Sequence, residues 1–256
     1  MIFSKKRFIL VLNLFLLISG VGEARVFDIN SEKFAAYFKA NYEPTSLNKS
    51  TYEKASPYGE TYSGDITTLY GGEFGFIYSS RYLNFRFGLE VVRPPTLAVV
   101  ATNAAGTKLY DISTDISAII PKIGIEYNIR QWKENRLFLN GNYGQGTLTM
   151  TNSYTFTATG AAAPMNGAEY TEEGRGTAAL TEGSLAFETL IFDTTTLVLE
   201  GGYRQLNFTT LTHSRNATTL NGAKLKGDAM LNTDGSARTV NMSGSYGGLM
   251  FRFWIK

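Results

Sequence analysis

From Leu83 to Val91 the residue types alternate strictly, with Leu83, Phe85, Phe87, Leu89 and Val91 on one face and Asn84, Arg86, Gly88 and Glu90 on the other. A strand with one wholly apolar face and one charged face divides two different environments. The preceding run repeats the pattern, with Tyr70, Phe74, Phe76 and Tyr78 set against Gly71, Glu73 and Gly75. Between the two runs, Ser79-Ser80-Arg81-Tyr82 is short enough for a tight hairpin.

The alternation predicts eight strands, over 33–43, 67–78, 83–93, 114–128, 136–150, 177–192, 196–209 and 238–254. Connections 79–82, 129–135 and 193–195 are short, whereas 44–66, 94–113, 151–176 and 210–237 are long. Short turns alternating with long loops predict an all-β fold, an eight-stranded antiparallel up-and-down transmembrane barrel with both termini periplasmic. Each strand is long enough for a tilted crossing, which needs roughly 9 to 11 residues. Closure also leaves no unpaired sheet edge in the hydrocarbon.

The predicted lipid-facing positions include Phe34, Phe38, Tyr42, Ile119, Ile123, Ile125, Leu139, Tyr143, Leu185, Phe187, Leu199 and Tyr203. Tyr42, Tyr78, Tyr82, Tyr127 and Trp132 stand near strand ends, where interfacial aromatic girdles form. In the last strand Val240, Met242 and Tyr246 share one parity and Leu249, Phe251 and Phe253 the other, so the apolar face is expected to switch near Gly247-Gly248. A glycine bulge would produce that switch, as would a segment lying above the bilayer.

Lys5, Lys6 and Arg7 precede an apolar run from Phe8 to Ile18 and then small residues up to Ala24. This is the order of a signal peptide, so 1–24 is set apart and the barrel domain assigned to 25–256. The formal charge of +2 then changes meaning: without Lys5, Lys6, Arg7 and Glu23, the 24 basic and 22 acidic residues become 21 of each. A neutral mature chain gives no reason to expect a nucleic-acid partner. The absence of Cys removes disulfides, thiolate metal sites and lipid-modified Cys together.

Opposite the apolar faces stand Lys39, Glu73, Arg86, Glu90, Lys122, Glu126, Glu182, Glu188, Glu200, Arg204 and Arg252, with Asn84, Asn140 and Asn142 among them. Eight strands enclose a space that side chains can fill, so these residues are expected to form ion-pair networks with trapped water, with Arg86, Glu90, Glu126 and Arg204 as central members. Packing argues against a wide pore, although swapping partners among long side chains would give a narrow gated channel.

Catalytic and metal sites find little support, and no cofactor is expected. The single His, His213, adjoins Ser214, and neighbours on a strand diverge, so His213 is read as a solvated loop residue. Glu169, Glu172 and Glu173 are read as a solvated loop cluster. Thr147 to Thr159 continues the strand alternation past the expected bilayer crossing, and Leu97–Val100 and Lys108–Ile112 flank a turn at Asn103-Ala104-Ala105-Gly106, so hairpins project beyond the membrane.

The final residues, with Tyr246, Gly248, Phe251 and Phe253, resemble the closing strand of OmpA/OmpX-type barrels, the pattern read by the barrel-assembly machinery; Trp254, Ile255 and Lys256 extend past the usual terminal aromatic. With strand count and loop alternation, the chain resembles the OmpA/OmpX/OmpW superfamily of Gram-negative outer membranes over about Lys33 to Phe253. The resemblance implies a monomer among outer membrane lipid and lipopolysaccharide. It implies a role in envelope integrity or adhesion through projecting loops, with a narrow channel for small or apolar solutes as the alternative. Sheets that project in this way have exposed edges able to pair with an extracellular ligand.

Overall fold

The computed structural model describes residues 32–47, 61–80, 82–132, 134–159, 170–219, 222–232 and 235–255. Residues 1–24, read above as a signal peptide, and Arg81, Glu169 and Lys256 lie outside the described residues. Eight strands form the wall: β1 (Phe34–Leu47), β2 (Ile66–Ser79), β3 (Leu83–Arg93), β4 (Lys108–Gln131), β5 (Asn135–Phe156), β6 (Tyr170–Phe192), β7 (Thr195–Phe208) and β8 (Gly244–Ile255). Each pairs antiparallel with its neighbours in sequence, and β8 pairs back onto β1 from Phe34↔Ile255 to Tyr42↔Gly247, which closes the ring. Phe34, Ile255 and the three short turns share one end, and the four long connections share the other.

Alternation decides which side chains enter. Phe74, Phe87, Ile123, Tyr143, Leu199 and Phe251 point outward and are exposed, whereas Glu73, Arg86, Lys122, Asn142, Glu200 and Arg252 point inward and are buried. Aromatic pairs stand at two levels of the outer surface, Phe34 with Tyr78 at 5.2 Å between ring centroids and Tyr42 with Tyr70 at 5.9 Å. With a rise of about 3.3 Å per residue and a tilt near 40°, these levels lie roughly 20 Å apart. Tyr78, Tyr82, Tyr127 and Trp132 stand at or near the short-turn end and Tyr42 at the upper level, all exposed.

Two expectations are corrected, and one hairpin stands where the sequence predicts it. First, β8 begins at Gly244, and its parity never switches, because Val240, Met242, Tyr246, Met250, Arg252 and Trp254 all face inward in a continuous register. Tyr246 and Gly248 therefore face the interior, while Phe251 and Phe253 face outward. The interior itself changes chemistry along the axis: its upper part is apolar, with Leu47, Leu69, Val92, Ile116, Ile120, Leu148, Met150, Leu180, Leu206 and Phe208 among the buried residues.

Within the connection over 94–113 the structure forms the projecting hairpin that the turn at Asn103-Ala104-Ala105-Gly106 predicts. Leu97–Thr102 pairs with the start of β4 around a turn at Asn103 and Gly106, where Gly106 adopts φ 78°. Second, the upper sheet edges are paired within the chain: Thr61–Tyr62 lies against Leu97–Thr102, and Leu211–His213 lies against β6. Backbone groups expected to recruit a foreign strand at these positions are thus bonded internally.

Candidate functional site: the charged interior

Inward charges gather into two layers separated by apolar side chains. The lower layer, near the short-turn end, holds Arg136 and Arg252 against Glu126 and Glu188. Arg252 reaches Glu126 at 2.6 Å and Glu188 at 3.0 Å, and Arg136 also pairs with Glu188. Asn84 Nδ2 donates to Glu126 at 2.9 Å, and both guanidinium groups lie over the Phe138 ring, at 5.1 Å for Arg136 and 4.9 Å for Arg252. Above them Phe138, Ala186, Val198 and Met250 belong to one apolar cluster.

The upper layer sets Lys39, Arg86, Lys122 and Arg204 against Glu43, Glu73, Glu90, Glu182 and Glu200. Lys122 Nζ lies 2.9 Å from a carboxylate oxygen of each of Glu73, Glu90 and Glu182. Arg204 contacts Glu90 at 2.5 Å, Glu182 at 2.8 Å and Glu43 at 3.3 Å. Arg86 reaches Glu73 at 2.8 Å and Glu200 at 3.3 Å, and Lys39 lies 2.9 Å from Glu200. Phenols close the layer, with Tyr37 Oη donating to Glu73 at 2.6 Å and Tyr246 Oη to Glu200 at 2.7 Å.

The tight fit depends on local absences of side chain. Gly75 and Gly88 face each other across β2 and β3, and a Cβ at Gly88 would lie 2.3 Å from Tyr37 Oη and 2.7 Å from Glu73 Oε1. Two residues without Cβ make the space in which Tyr37 meets Glu73. Asparagines act as clamps, since Asn41 Nδ2 donates to Glu90 at 2.8 Å and Asn142 Nδ2 to Glu182 at 3.0 Å. Buried carboxylates are stable as anions only when paired and hydrogen-bonded in this way.

A closed sheet with hydrocarbon-compatible side chains outside and ion pairs inside is matched to a bilayer, not to water. The fold is an eight-stranded transmembrane barrel. No family model and no curated protein matches the chain. Among solved structures it is similar to the outer membrane protein OprG from Pseudomonas aeruginosa, at 13% identity over 88% of this chain and 98% of that one, with a TM-score of 0.44. It is similar to Ail, the attachment invasion locus protein of Yersinia pestis, at 10% identity over 87% and 99%, TM-score 0.44. It is also similar to the outer membrane protease OmpT from Escherichia coli, at 9% identity over 91% and 99%, TM-score 0.38. These barrels differ in what they do, and none transfers an activity at such identity.

All eleven charged positions singled out in the sequence are buried within the barrel, where they gather in two layers. Arg86, Glu90 and Arg204 belong to the upper layer and Glu126 to the lower. Arg136, Glu43 and Tyr37 escaped the sequence reading, although parity with Asn140, Lys39 and Ala35 respectively places each inward. His213 and Glu172 are not solvated: they are 2% exposed each, with His213 Nε2 3.7 Å from Glu172 Oε1. Ser214 points away from this pair, toward Glu173 at 3.5 Å. The nearby segment folds inward over the barrel mouth, which sequence alternation in an isolated loop does not reveal.

Proposed function

We propose that this is an integral outer membrane protein that works as a structural and surface-binding element, exported by its N-terminal signal and oriented with both termini in the periplasm. One observation carries the reading: two cross-barrel layers of ion-paired side chains, all nearly inaccessible, fill the section that a porin would leave to water. Work at the outer end then falls to the sheet that β4, β5 and β6 continue above the apolar belt, joined by Leu97–Thr102. Its outward face is hydroxyl-rich, with Ser117 and Thr149 hydrogen-bonded at 2.9 Å and Ser153 and Thr171 at 3.4 Å. A polar face continuous with a lipid-facing one fits contact with lipopolysaccharide or an adhesion ligand through side chains. The chain acts as a monomer without enzymatic activity, inserted by the barrel-assembly machinery.

A narrow channel for small apolar solutes is the second reading, favoured by the apolar upper interior. Planar-bilayer recordings on refolded residues 25–256, with heat-dependent gel migration to verify closure, test the first. Silent, folded barrels agree with it. Discrete openings altered by Arg86→Ala or Glu90→Ala would replace it with transport.

A further inference from the structure

The described residues between Phe208 and Gly244 fold back over the barrel mouth. Leu211–His213 adds to the edge of β6 in the register Leu211↔Gly176, Thr212↔Arg175 and His213↔Gly174. Residues 228–230 lie against that short strand, with Met230 N–H donating to Leu211 O at 2.9 Å and His213 N–H to Asp228 O at 2.8 Å. Val240–Asn241 returns to pair with β7. Leu211, Met230, Val240 and Met242 thereby enter the upper apolar core. β6 supplies the sockets: a Cβ at Gly174 would lie 2.0 Å from Met230 Sδ, and one at Gly176 would lie 2.5 Å from Leu211 Cδ2.

A polar cluster lies in the same closure. Arg238, carried by the segment, donates to Glu172 of β6 at 2.6 Å, and His213 Nε2 stands 3.7 Å from the other oxygen of that carboxylate. His213 Nδ1 has no hydrogen-bond partner among the described residues. Asp228 and Lys224, also on the segment, act on this imidazole as well. A permanent plug would be at least as stable with apolar side chains here, because a buried ion pair gains little over them. The cluster instead makes closure depend on charge.

We propose that the described residues of this segment, 209–219, 222–232 and 235–243, act as an acid-released lid, seated on β6 while His213 is neutral and freed when His213 takes a proton. In the seated state a protonated His213 would stand beside Arg238 with Glu172 shared between two cations. Burial holds His213 below its ordinary range, against the opposing pull of Glu172. The seated state therefore binds the proton less well than the released one. Closure is fully favoured above the solvated imidazole value of about 6.5 and weakens as pH falls below it, by up to about 30-fold at pH 5.

The chain has no Cys, so a single introduced thiol reports without background. Met230→Cys places the thiol in the socket, and Leu225→Cys, at a position 64% exposed, calibrates reagent and pH. The rate of reaction with a dipyridyl disulfide, taken as the ratio of the exposed to the buried site, measures lid opening in the refolded full barrel. Leu211→Cys is the second buried site should Met230→Cys fail to give the heat-shifted band. The ratio is expected to exceed 100-fold at pH 7.5 and to shrink at pH 5, by no more than about 30-fold. Adding His213→Gln should abolish the pH effect, and adding Glu172→Gln should shrink the ratio already at pH 7.5. Equal rates at pH 7.5, a ratio indifferent to pH, the same pH effect with His213→Gln, or an unchanged ratio with Glu172→Gln would each overturn the proposal.

Discussion

Replacing Arg252 by Met asks whether the interior is packed protein or a watery lumen. The guanidinium lies 2.6 Å from Glu126 and 3.0 Å from Glu188 and is wholly buried. At an effective dielectric constant of 20 each contact amounts to roughly 6 kcal/mol of Coulomb attraction before desolvation is charged against it. After desolvation, removing one partner of a buried pair typically costs about 3–5 kcal/mol, because the remaining charges are left uncompensated. Here Glu126 and Glu188 would share Arg136 alone, with Asn84 still donating to Glu126. The expected loss is therefore about 3–5 kcal/mol in equilibrium urea unfolding of the refolded barrel. Adding Glu126→Gln restores neutrality and should recover about half of it. If the lower layer were open to water, exposed pairs would contribute only about 0–1 kcal/mol. A loss below about 1 kcal/mol for Arg252→Met, with no recovery in the double variant, would refute the packed interior.

Gly88→Ala should lower folding yield or stability strongly, since its methyl would meet Tyr37 Oη at 2.3 Å, whereas Gly183→Ala, with nothing within 4 Å, should be neutral by the heat-shift assay. Tyr246→Phe removes the 2.7 Å donor to Glu200 but leaves Lys39 and Ser184 on that carboxylate, so unfolding should register about 1–2 kcal/mol. Gly174→Ala should increase labelling of Leu211→Cys at pH 7.5 without moving the heat-shifted band, because it fills the socket of Met230 and leaves the lower barrel intact.

The wall was legible because a bilayer imposes a binary choice at every residue. β3 spans Leu83–Arg93, the range its alternation predicts, and outward-facing Phe85 and Phe87 leave no ambiguity about the neighbouring Arg86. Legibility failed where both sides of the sheet became apolar or both polar. Val240 and Met242 face inward like Arg252, but apolar side chains seated in an apolar upper core look the same in sequence as lipid-facing ones. The division of the charges into two layers was hidden for another reason. It depends on axial level, and level depends on the shear between strands, which residue parity does not contain. His213 was misread because its burial comes from Glu172 and Arg238, residues far from it in sequence.

The ion pairs also join strands remote along the chain. Arg86 of β3 meets Glu200 of β7, Glu90 of β3 meets Arg204 of β7, and Glu126 of β4 meets Arg252 of β8. Glu126 cannot find Arg252 until the last strand arrives. During insertion a half-made sheet would thus carry unmatched charges on the side opposite its greasy one, which keeps that side wet and discourages premature collapse. A one-residue slip at the seam would turn Arg252 toward hydrocarbon and leave Glu126 and Glu188 with one guanidinium, that of Arg136, between them. The interior thereby serves as a proofreading device for the seam: only the correct register extinguishes the charge, and the final strand is the one that does so.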